Sequence, residues 1–299
     1  YKRQDNSLAF ATNNGIFGSI DLITNKVRLN VQKYDSILPE YRAVAHTATD
    51  FFMLSVASPA LLYKTGDNGM ELVYKEEGEN VFYDAMTFWN NQEGIAMGDT
   101  VDGCLSIIIT RDGGQSWNKI PCSELPKGTE SEGAFAASNT NIKTIGDKVW
   151  IATTSSRIYY SADKGKTWDI FTTPVVKDKP TQGIYSIDFY DENLGIAIGG
   201  DYTSSDDNKS NKAITQDGGR TWELIADGQE PDYKSCVQFV PNTNGNGVVA
   251  LGFTGVSYSS NMGDNWSKLS DESFYTLRFM NDSIAYAGGK NRIAKLTFK

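Results

Sequence analysis

Carboxylates are the residues from which this chain could build chemistry, because little else is available. It has one histidine, His46, and three cysteines, Cys104, Cys122 and Cys236. Four scattered residues do not make the ligand clusters of a His/Cys zinc site. A Ser-His-Asp triad would have to use His46, and no nucleophile-elbow motif accompanies it. No G-x-G-x-x-G follows a strand-like run and no C-x-x-C-H occurs, so no dinucleotide or c-type haem is implied. No loop has the alternating Asp/Asn spacing, closed by Glu, of a calcium loop. Neither a cofactor nor a metal is expected. Asp84, Asp99, Asp102, Glu132 and Asp201 stand near the ends of strand-like runs, with Arg42, Tyr185, Tyr202, Lys234 and Tyr275 in comparable places. Brought together, they would form a polar mouth that binds a ligand. Two carboxylates at the right separation could hydrolyse a glycoside. The same acids also suit the capping of strands and turns.

The elements that must position these residues are repeats. Three octapeptides match closely: Thr110–Trp117 (TRDGGQSW), Ser161–Trp168 (SADKGKTW) and Thr215–Trp222 (TQDGGRTW). Ser259–Trp266 (SSNMGDNW) and Thr65–Leu72 (TGDNGMEL) are weaker copies in the same frame. The Asp-type positions are Asp67, Asp112, Asp163, Asp217 and Asn261, spaced by 45, 51, 54 and 44 residues. In such a turn the Asp and Ser/Thr side chains bond backbone N–H groups, glycine supplies a positive φ, and Trp117, Trp168, Trp222 and Trp266 return to pack on the sheet. A second repeat precedes each turn: FYDAMTFWNNQEGIAMGD (82–99), IYSIDFYDENLGIAIGGD (184–201) and FYTLRFMNDSIAYAGG (274–289). Four short strands per period is the pattern of a propeller blade. The chain reads as all-β, a single propeller domain over 1–299 with Asp-box hairpins. Blades fall near 1–34, 40–75, 81–119, 133–170, 182–224, 234–268 and 274–299. Both ends look like separate three-stranded blades, which gives seven. Six blades, with the termini sharing one sheet, is the alternative.

Thirty-seven acidic residues against 28 basic ones leave a net charge of −9. That excludes phosphate-rich partners, which need a basic face, so no nucleic acid is expected. No run of 18 apolar residues is present, so no membrane span is expected. The first residue is Tyr1 and not methionine, from which export to the periplasm or cell envelope is expected, with a leader removed. The chain is expected to be a monomer. Cys104 and Cys122 flank one hairpin symmetrically about Gly113, so they are either bonded across it or free thiols. Cys236 reads as a small buried residue. His46 aligns with Phe88, Phe189 and Phe279, which predicts a buried core or channel position.

The tandem octapeptides resemble those of the BNR/Asp-box superfamily. The longer phrases FYDAMTFWNNQEGIAMGDTVDG (82–103), SEGAFAAS (131–138) and GIYSIDFYDENLGIAIGGDY (183–202) resemble the photosystem II stability/assembly factor-like propellers of bacteria. Members of that group often carry loose labels such as oxidoreductase or glycosyl hydrolase. The resemblance covers about 40–299; relatives usually begin with a boxed blade, and here that box is missing. It implies a seven-bladed exported propeller without an established reaction in most members. Sialidases share boxes and blades but need an arginine triad and an Arg-Ile-Pro phrase. Of the eight arginines here, Arg111 and Arg220 lie in octapeptides, and Arg-Ile-Pro is absent. The expected function is therefore non-catalytic binding or assembly, with the polar face presented to a protein, peptide or glycan. A glycosidase-type hydrolase is the alternative, and a redox role rests on family labels alone.

Overall fold

Seven antiparallel sheets, and only one 3-10 turn (Cys122–Glu124), make up the computed structural model, which describes residues 7–298. Residues 1–6 of the expected first blade, and Lys299 of the last, lie outside the described residues. The first sheet has three strands, Ser7–Ala11 (β1), Ile16–Asp21 (β2) and Val27–Val31 (β3). The second has Tyr41–His46 (β4), Phe51–Ser55 (β5), Ala60–Gly66 (β6) and Gly69–Glu76 (β7), and the third Tyr83–Phe88 (β8), Gly94–Val101 (β9), Cys104–Thr110 (β10) and Asn118–Lys119 (β11). The fourth has Ile142–Ile145 (β12), Lys148–Ala152 (β13), Arg157–Ser161 (β14) and Asp169–Thr172 (β15). The fifth has Gln182–Phe189 (β16), Gly195–Asp201 (β17), Lys212–Thr215 (β18) and Glu223–Leu224 (β19). The sixth has Cys236–Phe239 (β20), Val248–Gly252 (β21), Gly255–Ser259 (β22) and Ser267–Ser270 (β23), and the last Thr276–Phe279 (β24), Ile284–Gly289 (β25) and Arg292–Thr297 (β26). Strands pair in chain order within every sheet, and the two ends form separate sheets. The fold is a seven-bladed β-propeller, so the six-bladed alternative does not hold. No helix among the described residues is long and apolar enough to cross a membrane. The chain divides into two compact units, Tyr1–Ser131 and Glu132–Lys299.

Local chemistry explains the blades. In the first full octapeptide, Thr110 Oγ1 accepts the Gly114 N–H at 2.9 Å and donates to Asp112 Oδ1 at 2.8 Å. Asp112 also accepts the Ser116 N–H and hydroxyl, at 3.0 and 2.6 Å. Ser161/Asp163/Gly165, Thr215/Asp217/Gly219 and Ser259/Asn261/Gly263 repeat this turn. Gly114 has φ +80°, and a Cβ there would stand 2.3 Å from the Phe52 ring. Trp168, Trp222 and Trp266 each donate from Nε1 to the carbonyl of the turn glycine. Thr65–Leu72 departs from this geometry. Gly66 pairs directly with Gly69, which leaves Asp67 in a two-residue hairpin and Leu72 40% exposed. With Leu72 in place of tryptophan, nothing folds back to fix the longer turn.

The second repeat is a strand–turn–strand unit closed by an Asx turn. Asn90 accepts the N–H groups of Gln92 and Glu93, Asp191 those of Asn193 and Leu194, and Asn281 those of Ser283 and Ile284. Phe88 and Phe189 fold over Gly94 and Gly195, where any Cβ would collide with the ring. His46 occupies the corresponding place on β4 but pairs with Phe51, which offers no such seat. It is therefore exposed, against the buried position expected, and its Nδ1 lies 3.1 Å from the Thr47 carbonyl.

Three of the first strands share a further feature. Register shifts fall between Tyr41 and Ala43, Tyr83 and Ala85, and Ile184 and Ser186. Arg42, Asp84 and Tyr185 are thus the extra residues of three equivalent β-bulges, which re-aim a side chain without moving the flanking ladder. Phe52, Leu54, Leu62, Met86 and Ile108 form a core in the first unit. Trp150, Phe189 and Trp222 anchor one in the second. Cys104 and Cys122 are bonded, with Cα atoms 5.7 Å apart. The ladder pairs Ile108 with Lys119, so the two cysteines are one residue out of register. The bond forms because β11 ends at Lys119 and the chain turns back through Pro121. Cys236 is free and buried, as expected.

Candidate functional site

The ten candidate residues divide between the two units. In the first, Arg42 projects from its bulge and pairs with Glu40 at the surface. Asp84 is fully buried in its bulge. Asp99 lies near the end of β9, half-buried, its N–H donated to the Phe82 carbonyl. Asp102 and Gly103, with φ of +56° and +87°, form the two-residue turn between β9 and β10. That left-handed pair is the hairpin turn that Asp-Gly favours, so Asp102 has a turn-forming role.

In the second unit, Glu132 is buried and its carboxylate is surrounded by donors. Oε1 accepts the Thr153 hydroxyl at 2.6 Å and Arg157 Nε at 3.0 Å; Oε2 accepts Arg157 Nη2 at 2.8 Å and the Tyr159 hydroxyl at 3.1 Å. Burial, then the Glu132 charge, holds the Tyr159 phenol well above its ordinary range. This pair fixes the start of a strap, 132–141. Downstream, Thr276 Oγ1 donates to the Ser138 carbonyl at 2.8 Å and Arg278 to the Asn139 carbonyl at 3.2 Å.

Between these anchors the strap lays Phe135 flat on Tyr185, with centroids 3.6 Å apart and planes 2° from parallel. Tyr185 meets Tyr233 edge-on at 4.8 Å, and Tyr233 meets Phe253 at 5.1 Å. Tyr185 and Tyr233 are buried, whereas Tyr202, Phe253 and Tyr275 are 51%, 40% and 41% exposed. Burial raises the Tyr185 phenol pKa, and nearby Tyr233, Tyr202 and Asp201 raise it further. Ser235 Oγ donates to the Tyr275 carbonyl at 3.0 Å, which ties the start of β24 to the same region. Tyr202 follows β17, Phe253 follows β21 and Tyr275 precedes β24. In antiparallel blades the end of a second strand and the start of a first strand lie at one end.

Two buried lysines hold this aromatic surface in place. Lys212 Nζ donates to Asn211 Oδ1 at 2.6 Å and to the carbonyls of Gln229 and Pro231, both at 2.9 Å. Burial pushes its pKa down to about 8. Lys234 Nζ is bonded to Asp232 and, at 2.8 Å, to Thr254 Oγ1. Together they clamp 229–234, the segment that carries Tyr233. Lys234, a candidate contact in the sequence, is thus a clamp beneath the aromatics. Asp201 is also buried: Oδ1 accepts the Thr203 N–H at 2.9 Å and hydroxyl at 2.6 Å, and Lys179 lies 3.6 Å from Oδ2. Burial would raise its pKa, but those hydrogen bonds, Thr181 and Lys179 reverse that and hold it at about 2.

Tyr185, Asp201, Tyr202, Lys234 and Tyr275 are therefore gathered in one region of the second unit. Sequence reading missed Phe135, Tyr233, Phe253 and Lys212. A signal was present in Asp201-Tyr-Thr203 and Gly252-Phe-Thr254, which repeat an aromatic before threonine just beyond a second strand. An aromatic surface of this kind can stack on or pack against a ligand. Its buried carboxylate is committed to the fold.

The sortilin/Vps10 family (sortilin, neurotensin receptor 3) matches residues 105–250, just under half of the chain. No curated protein matches in sequence. Among solved structures, "YCF48 bound to D1 peptide" superposes with a TM-score of 0.69 at 11% identity, covering 100% of this chain and 91% of that one. The fold resembles YCF48. "Structure of U3-55K" gives 0.69 at 12% identity, covering 99% and 93%. "Crystal structure of RRP9 WD40 repeats" gives 0.70 at 10%, covering 100% and 92%. At these identities the likeness is one of fold.

Proposed function

We propose that this chain is an exported, non-catalytic binding propeller of the cell envelope, and that it holds an extended peptide segment of a partner protein against the aromatic surface of its second unit. The octapeptides act in this reading as Asp boxes with an architectural role. The observation that carries the proposal is the run Phe135–Tyr185–Tyr233–Phe253, flanked by exposed Tyr202 and Tyr275. Exposed aromatics on a rigid buried base are the residues that dominate binding energy at interfaces, because they offer large contact area and lose little conformational freedom. The peptide in the YCF48 structure is consistent with this class of ligand. A net charge of −9 favours a neutral or basic segment over an acidic one. Glu132 and Asp201 are buried and engaged with neighbouring donors, which weighs against their use in glycoside hydrolysis.

The test is capture of partners from the native envelope with the wild-type chain and with Tyr202→Ala/Phe253→Ala/Tyr275→Ala. Each truncation of a hot-spot aromatic removes about 1–2 kcal/mol or more, so the triple variant should lose its principal partner by at least tenfold. Equal recovery of the same partners by both proteins would refute this placement of the site.

A further inference from the structure

The outer strand of the first sheet, β3, ends that sheet with no fourth strand beyond it among the described residues. Val27, Leu29 and Val31 are 52%, 62% and 55% exposed, and their alternation puts all three on one face. Ile23, in the preceding turn, is 78% exposed. The main chain is in phase with this pattern. Asp21 N–H donates to the Lys26 carbonyl at 3.0 Å, and Gln32 N–H to the Gly15 carbonyl at 2.9 Å. Even-numbered residues of β3 thus turn their backbone groups toward β2, and Val27, Leu29 and Val31 turn theirs toward the open edge. Natural edges are usually blunted by proline, a bulge or lysine within the strand. β3 has no proline or lysine and a single charge, Arg28, whose backbone groups turn toward β2, and its pairing with β2 is free of register shifts. The other three-stranded sheet ends in β26, whose edge carries Arg292 and Lys295.

We propose that β3 pairs antiparallel with β3 of a second copy of this chain, about a two-fold axis through Leu29. That register sets Leu29 opposite Leu29 of the second copy, Val27 opposite Val31, Arg28 opposite Asn30 and Lys26 opposite Gln32. Every facing pair is apolar with apolar, or cation with amide, and no like charges oppose each other. This self-complementarity is what selects a second copy as the occupant, since an isologous contact must match itself. It departs from the monomer expected from the sequence. It involves the first unit alone and does not depend on the peptide site. A five-strand-residue edge is small beside a standard interface of about 1,600 Å², so association is weak and concentration-dependent.

Sedimentation velocity over about 1–300 µM, the range that suits a weak contact, should show the mass rising from one chain toward two. Leu29→Lys sets two ammonium groups face to face and should weaken the dimer at least tenfold. The side chain is exposed, so its melting temperature should match the wild type. Cysteine pairing under mild oxidant reads the register. Leu29→Cys should cross-link to itself. Val27→Cys should not, yet should cross-link when mixed with Val31→Cys. A single-chain mass at the highest concentration, a dimer indifferent to Leu29→Lys, or self-cross-linking of Val27→Cys as fast as Leu29→Cys would each overturn the proposal.

Discussion

Replacing Glu132 with alanine should be among the most damaging single changes in the second unit. The carboxylate serves four hydrogen bonds from Thr153, Arg157 and Tyr159. Its removal leaves a guanidinium only 15% exposed, and two hydroxyls, without the acceptor they share. Breaking a buried pair from one side costs about 3–5 kcal/mol. Arg157 keeps partial access to water, which argues for the lower end, about 3 kcal/mol. For a chain of this size that corresponds to a fall in melting temperature of about 6–12 °C, at about 2–4 °C per kcal/mol. Glu132→Gln keeps the shape and one acceptor oxygen, so it should lose less. Glu132→Met/Arg157→Met, which removes both charges, should recover much of the loss because no unpaired ion stays buried. The assay is urea and thermal unfolding of the four proteins, with limited proteolysis of the strap 132–141 under native conditions. If Glu132→Ala unfolds within about 1 kcal/mol of wild type and the strap stays resistant, the strap is not held by this pair and the reasoning fails.

Other expectations are as direct. The Cys104–Cys122 bond closes a loop of 18 residues, so reduction or Cys122→Ser should cost about 3 kcal/mol on the loop-entropy estimate; the urea midpoint with and without a dithiol reads this. Asp201, held at about 2 against an ordinary 3.8, has a depressed folded-state pKa. Its contribution, about 2 kcal/mol, is complete above about pH 4 and lost as pH falls through 2. Asp201→Asn should flatten the acid limb of the stability profile, and an unchanged limb would contradict this. Gly219→Ala, at φ +88° and 3.1 Å from the Trp150 ring, should destabilise by more than about 1 kcal/mol, whereas Gly103→Ala, in open space at φ +87°, should carry only the backbone part of that cost.

Blade architecture was legible in the sequence because each blade carries its own punctuation. The Thr110–Asp112–Gly114 turn and the Asn90 turn are local, so spacing along the chain is enough to find them. The seven-blade reading followed from comparing Ser7–Leu22 with Ser283–Phe298. The aromatic surface was much less legible. Phe135, Tyr233 and Phe253 come from different loops and Tyr185 from the bulge of β16; their meeting depends on tertiary packing, and only the aromatic before threonine at Tyr202 and Phe253 leaves a repeated trace. Glu132 stood out in its phrase, but its partners lie 21–27 residues later on β14 and the turn before it, so its role as a buried anchor could not be read locally. His46 misled because alignment with Phe88 carried no information about the residue across the ladder.

The bulges on the first strands bear on how such a scaffold changes. At one repeated position the chain carries arginine, aspartate and tyrosine, while the flanking residues keep the same alignment with the second strand. A residue outside the ladder's count can be exchanged without asking the sheet to re-register. Its chemistry is thereby uncoupled from blade formation. Three of the seven blades offer such an address at the corresponding point of the first strand, which makes these positions natural points for grafting a new specificity onto the fold one side chain at a time.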